Sequence, residues 1–174
     1  SAKFTVLRDA GREIHLHYSD SCPTGGEMPV VALLHGSGPG STGMSSFAAN
    51  RAALLGAGFR VICMDLPGWG HSDAIVCTED RSSLNARSLH AVLNAAAVTS
   101  PVHLMGASMG AHSAAAFALQ WPDRLGKLIL VSGGTGGRSN YHADRPEGVR
   151  AMLACASACC SCARCSVSSS CTSS

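Results

Sequence analysis

Val102-His103-Leu104-Met105-Gly106-Ala107-Ser108-Met109-Gly110 is the stretch on which the reading of this chain turns. Val102 to Met105 is apolar enough for a short buried strand, and Ala111 to Trp121 follows as a small-residue helix pattern that Pro122 stops. Between them, Gly106-Ala107-Ser108-Met109-Gly110 holds a serine on a strand-to-helix turn. Its hydroxyl is thrust out of the backbone at the mouth of a helix N-terminus. A bare Gly-x-Ser-x-Gly match arises by chance about 0.3 times in a chain this rich in glycine and serine, so the flanking strand and helix supply the specificity. The two glycines have a steric reason as well. A Cβ two places from the serine collides with the crossing strand and helix. The plainer alternative is a glycine-rich loop that happens to contain a serine.

Working outward, buried runs alternate with helical patterns. Glu13 to Tyr18 alternates apolar and polar as a half-buried strand does, paired with Phe4 to Leu7 across an Asp9-Ala10-Gly11 turn. Pro29 to Leu34 and Phe59 to Met64 are continuous apolar runs, the mark of strands covered on both faces. Ser45 to Leu55 reads as a helix closed by Gly56 or Gly58. Ser82 to Ala97 reads as another, with Leu84, Arg87, Ser88 and Val92 spaced by threes and fours. Lys127 to Val131 is a further buried strand. Such alternation predicts an α/β fold with a mostly parallel sheet and right-handed crossovers. In these sheets working residues gather at the carboxyl ends of the strands. Glycine-rich polar loops stand there at His35, Asp65 and Gly106, and a fourth, Ser132 to Gly137, follows the last strand.

The 174 residues suit one domain with a full core, and the net charge of +2 excludes a footprint for nucleic acid or an acidic membrane surface. The apolar runs fall short of a membrane span and the first 20 residues mix charges throughout, so a cytoplasmic protein is expected. Cys22, Cys63 and Cys77 are scattered and expected to be reduced.

An acyl-transfer serine needs an oxyanion hole, a base and a group to orient the base. One hole donor is the N–H of Met109, the residue after the serine, where the helix dipole favours negative charge. The second is expected from the earlier loop at Ser37, whose neighbours Gly36 and Gly38 let the backbone bend its amide inward. His35 reads otherwise as a structural histidine in a tight turn. The base is harder to find. After Ser108 the only histidines are His112 and His142. His112 lies one turn into the helix and reads as a packed or exposed helix residue. His142 and Asp144 read as loop residues, and Asp65, His71 and Asp73 as loop-closing, solvated turn residues. No triad assembles from these.

His35-Gly-Ser-Gly-Pro-Gly40, Asp65-Leu-Pro-Gly-Trp-Gly-His-Ser-Asp73, Gly106-Ala-Ser-Met-Gly110 and Trp121-Pro-Asp-Arg-Leu-Gly-Lys-Leu-Ile-Leu130 together resemble the meta-cleavage product hydrolases. These belong to the α/β-hydrolase superfamily and split carbon–carbon bonds in vinylogous 1,5-diketones from aromatic ring degradation. The likeness runs from about residue 10 to about residue 153, and Asn85-Ala86-Arg87 and Gly133-Gly-Thr-Gly-Gly137 fit the subgroup of phenylpropionate breakdown. The resemblance implies Ser108 as the triad serine, the Ser37 and Met109 amides as the oxyanion hole, and Gly36, Gly38, Ser46 and Ala107 along the substrate. It implies a small-molecule dienol acid, ketonised first and then attacked at its carbonyl carbon by water or serine, and no cofactor. Two positions depart from the family, which usually has asparagine where this chain has Ala107 and Ser46. Both normally help hold the dienolate and carboxylate. An ordinary carboxylester hydrolase on the same scaffold is therefore the second reading. A dehalogenase or epoxide hydrolase is disfavoured because the turn holds serine and not aspartate.

Residues 1–153 are thus expected to form the N-terminal part of such a domain, without the family's helical lid and the two later strands that carry the triad Asp and His. Residues 154–174 are almost entirely Ser, Cys and Ala, a low-complexity string that cannot bury a core. Cys159-Cys160-x-Cys162-x-x-Cys165 has a weak likeness to thiolate-cluster spacing. Out-of-frame translation of a GC-rich gene accounts better for the composition, and predicts that another frame encodes a lid. An incomplete triad makes a non-catalytic product the third reading. An uncovered sheet edge favours association, so a homo-oligomer is one expected state.

Overall fold

The computed structural model describes residues 1–22, 28–76 and 80–133, which form six strands, four α-helices and one 3₁₀ turn (Pro122–Arg124). In chain order these are β1 (Ala2–Asp9), β2 (Arg12–Asp20), β3 (Val30–Leu34), α1 (Gly43–Ser46), α2 (Ala48–Gly56), β4 (Arg60–Met64), α3 (Arg81–Ala95), β5 (Val102–Ala107), α4 (Met109–Gln120) and β6 (Leu125–Val131). The sheet order is β1-β2-β4-β3-β5-β6. β1, β2 and β4 pair antiparallel, whereas β4, β3, β5 and β6 run parallel. The fold is α/β, as the alternation of buried runs and helices predicts.

The alternation of β3 shows how one short strand serves two cores. Val30, Ala32 and Leu34 face the larger cluster, with Leu84, Leu89 and Leu93 of α3 and Ala114 and Phe117 of α4. Val31 and Leu33 face the smaller one, with Phe47, Val61 and Cys63, flanked by Leu54 and Leu55 of α2. All five residues of β3 are buried, which explains its unbroken apolar run. The β1–β2 hairpin closes through Ala10 and Gly11, at φ of 48° and 76°. Two successive left-handed residues match the twist of a two-residue hairpin turn, with Asp9 paired to Arg12.

Two expected elements differ in detail. Ser45 to Leu55 is not one helix, because Phe47 leaves helical geometry at φ −128° and buries its ring in the smaller core. Thr42 fixes the start of α1 by a capping box with Ser45. The helix after the serine begins at Met109 rather than Ala111, directly behind β5. No described helix is long and apolar enough to cross a membrane.

Candidate active site

Strand order reverses between β3 and β5, since β3 leads on one side to β4 and on the other to β5. A parallel sheet opens a crevice at the carboxyl ends of two such strands. The loop after β3 and the turn after β5 meet there. Ser108 is the single residue between β5 and α4, at φ 52° and ψ −115°, a conformation that costs an L-residue free energy. Its amide is held by the Val131 carbonyl of β6 at 2.9 Å, and its own carbonyl accepts from the Ala111 N–H at 2.9 Å. Strand, strain and helix together leave the side chain exposed.

The glycines explain how the turn closes. A Cβ at Gly106 would strike the Gly110 carbonyl, and one at Gly110 would strike the Leu34 carbonyl of β3. The steric argument from the sequence therefore holds at both positions. A Cβ at Gly36 would stand 3.3 Å from Ser108 Cβ and 3.9 Å from Ser108 Oγ. The loop after β3 thus lies directly against the serine. Ser37 and Gly38 are exposed beside it, and the Ser41 N–H closes the loop onto the Gly38 carbonyl at 3.0 Å.

His35 anchors this loop and is fully buried. Its Nε2 accepts the Leu66 N–H at 2.9 Å, so the ring proton sits on Nδ1, which donates to the Gly36 carbonyl at 2.7 Å. Burial pushes its pKa down, against the opposing pull of that hydrogen bond and of Asp65. A neutral ring with both nitrogens engaged is a structural histidine, not a base for Ser108. His112 is half-buried on α4, and its N–H points to the Ser108 carbonyl at 3.4 Å. Ser108 Oγ has no hydrogen-bond partner among the described residues. His142, Asp144, Cys77, Gly134 to Gly137 and the cysteines from Cys155 onward lie outside the described residues.

The remaining positions divide. Met109 is half-buried against the larger core, and Ala107 packs against the smaller one. Ser46 is exposed and ends α1 rather than standing in a loop. Asn85-Ala86-Arg87 is structural: Asn85 Nδ2 donates to Ser113 Oγ at 3.0 Å, Ala86 is buried, and Arg87 grips Asp9 through two bonds of 2.9 and 2.8 Å. Ser113 Oγ in turn donates to the Met109 carbonyl at 2.9 Å, so α3 braces the first turn behind Ser108.

Asp65 corrects the expectation of a solvated turn residue. It is 2% exposed. Its Oδ1 accepts the Gly43 N–H at 2.8 Å, and its Oδ2 accepts the His71 N–H at 3.0 Å. Burial would raise its pKa, but those two N–H groups and the His17 ring outweigh it and hold the carboxyl below the usual range. The sequence signal was available in part, because an acid directly after a buried strand at a glycine-rich loop is poorly placed for solvent.

This arrangement of switch-point crevice, strained serine and flanking loop is that of the α/β-hydrolases. A sequence profile for the alpha/beta hydrolase fold matches residues 29–154, and the chain belongs to that family. Among curated relatives, the 2-hydroxy-6-oxononadienedioate/2-hydroxy-6-oxononatrienedioate hydrolase of Burkholderia vietnamiensis is 49% identical over 154 residues, 88% of this chain and 52% of that protein. The chain spans about half the length of the curated relatives it matches. A thermophilic esterase from Thermogutta terrifontis is similar at a TM-score of 0.61 and 32% identity, over 74% of this chain and 44% of that one. The meta-cleavage product hydrolase CumD of Pseudomonas fluorescens is similar at a TM-score of 0.61 and 25% identity, over 78% of this chain and 47% of that one.

Proposed function

We propose that this chain carries the nucleophile and oxyanion half of a meta-cleavage product hydrolase, acting on a small dienol acid of the vinylogous 1,5-diketone class. The observation that carries the reading is Ser108 itself, strained at φ 52° between β5 and α4 with the Gly36 backbone packed against it. The names of relatives at 46–49% identity supply the substrate class.

Ser108 is the nucleophile, and the N–H groups of Met109 and Ser37 receive the oxyanion. Each such donor is typically worth about 3 kcal/mol in the transition state. Helix geometry supports the Met109 role, since the first N–H groups of α4 have no intrahelical partner. The dienol is ketonised first, taking a proton on carbon. Attack by water or serine then makes a tetrahedral adduct, and the C–C bond breaks because its electron pair is received by the conjugated ketone. The reading needs no cofactor. Gly36 and Gly38 line the substrate by backbone, with Ser46 and Ala107 further along it. The base that activates the serine is assigned to no described residue.

A carboxylester hydrolase is the second reading. Ala107 favours it, because a methyl cannot hold a dienolate, and the esterase similarity agrees with it. A chromophoric dienol acid and p-nitrophenyl acetate, each tested on the wild type and on Ser108→Ala, separate the readings. Dienol bleaching that falls about 10⁴-fold or more in the variant supports C–C hydrolysis. Ester turnover alone, with the same loss, supports the esterase. Rates unchanged by Ser108→Ala remove the serine from catalysis, and silence on both substrates favours a non-catalytic product.

A further inference from the structure

We propose that His17, Asp65 and His71 form a zinc site separate from the serine, with His17 on β2 and Asp65 directly after β4, three and two strands from β5 in the sheet. One ligand atom from each residue lies within 4.8 Å of the others. His17 Nδ1 stands 2.9 Å from Asp65 Oδ2, and His71 Nδ1 stands 3.6 Å from the same oxygen. At zinc–ligand bonds of about 2.0–2.1 Å these separations correspond to angles of about 90° and 120° at the metal, on either side of the tetrahedral value. Two imidazoles and a carboxylate suit Zn²⁺, whereas Mg²⁺ and Ca²⁺ favour all-oxygen sites. His71 is 74% exposed by side chain while Asp65 is 3% exposed, so the site opens to water on the His71 side.

The site is held in place before any metal arrives. Gly70, at φ 58°, lets the chain wrap against Asp65, where any Cβ would strike the carboxylate, and so returns His71 to it. Ser72 Oγ donates to the Asp65 carbonyl at 2.6 Å and accepts the His17 N–H at 2.9 Å. Asp73 N–H donates to the His15 carbonyl at 2.9 Å, tying the far end of the loop to β2. The Phe4 ring covers His17 at 5.0 Å between centroids, and the His17 and His71 rings meet edge-on at 4.9 Å.

An acceptor lone pair on His17 Nδ1 would repel a carboxylate oxygen 2.9 Å away, so Nδ1 carries a hydrogen toward Asp65 Oδ2. Zinc displaces it, and the proton moves to Nε2 or to water. Occupancy clamps β2 to the loop that carries Leu66 and Trp69, the two residues that hold His35 behind Gly36.

Because six cysteines between Cys155 and Cys171 would also take zinc, the test uses the full chain with its accessible thiols alkylated under native conditions. ZnCl₂ is titrated by calorimetry in a buffer that does not bind metal, with folding monitored by circular dichroism. Wild type should bind one equivalent and gain in Tm. His71→Ala, on the exposed side, and His17→Gln should each weaken binding at least tenfold and lose the gain in Tm. His15→Ala, beside the site, should leave both unchanged. Absence of binding by the alkylated wild type overturns the site. Equal affinity in wild type and His71→Ala overturns it as well.

Discussion

Ser108 shows how a single residue can be held against its own preference. An L-residue at φ 52° and ψ −115° sits outside the broad minima, and the cost of such strain is typically about 1–3 kcal/mol. The turn is over-determined from three sides. β6 holds the Ser108 amide, α4 begins at the next residue, and Gly106 and Gly110 bring strand and helix closer than any side chain allows. Glycine at 108 would adopt the same angles without penalty. Ser108→Gly should therefore raise stability by about 1 kcal/mol in urea unfolding while removing any acylation at this position. A loss of stability in that variant would mean that the turn is not strained, and the case for a serine displayed for chemistry would weaken with it. His35 makes the complementary point. A histidine beside a nucleophile invites assignment as its base, yet both of its nitrogens are engaged by backbone groups.

At the level of elements, periodicity carried β2 to β5 and α3 closely, because burial imposes it directly on the residues, whereas Lys127 to Val131, expected to be a buried strand, leaves Ile129 and Val131 exposed among the described residues. The strand-to-helix turn at Ser108 was also legible, since Gly106, Ser108 and Gly110 each answer a local steric demand. What the pattern could not convey was the hinge itself: β5 runs on to Ala107 and α4 starts at Met109, leaving Ser108 as the only residue between them. The division of α1 from α2 was invisible for a related reason. Phe47 keeps the helical spacing in sequence, but its ring belongs to the core on the far side of the sheet from α3 and α4. The Asp65 cluster was missed because its partners His17 and Gly43 lie 48 and 22 residues away, and no local spacing reports such contacts. Phe47→Ala should cost about 3 kcal/mol or more, since the ring is 4% exposed among Val31, Leu33, Val61 and Cys63. Chemical denaturation gives the value. A cost under about 1 kcal/mol would show that α1 and α2 are held by their caps and not by this ring.

At the scale of the whole molecule, the hairpin of β1 and β2 joins the rest of the described sheet through a short seam. β2 meets β4 through only Tyr18, Ser19 and Asp20, opposite Met64, Cys63 and Ile62. Ion pairs supplement that short seam at both ends. Arg87 of α3 holds Asp9 at the hairpin turn, and Asp20 gathers three segments at the other end. Its Oδ1 accepts from Arg60 Nε at 3.0 Å and from the Cys22 N–H at 2.9 Å, while its Oδ2 accepts from Arg60 at 2.8 Å and from Lys3 Nζ at 2.9 Å. Arg60 also donates to the Ala96 carbonyl behind α3. Burial would raise the Asp20 pKa, but these donors outweigh it and bring it from 3.8 down to about 2. Because the folded value lies below the unfolded one, the unfolded chain binds the proton more readily. The contribution is therefore complete above about pH 4 and is lost as pH falls through about 2, with a size of roughly 2 kcal/mol. Asp20→Asn keeps the shape and removes the charge, so it should lower stability near pH 7 by about that amount. Between about pH 4 and pH 2 its stability should fall less steeply than that of the wild type, and the two curves should converge. Urea midpoints measured across that range decide the matter, and parallel curves would show that Asp20 is not the group whose protonation releases the hairpin.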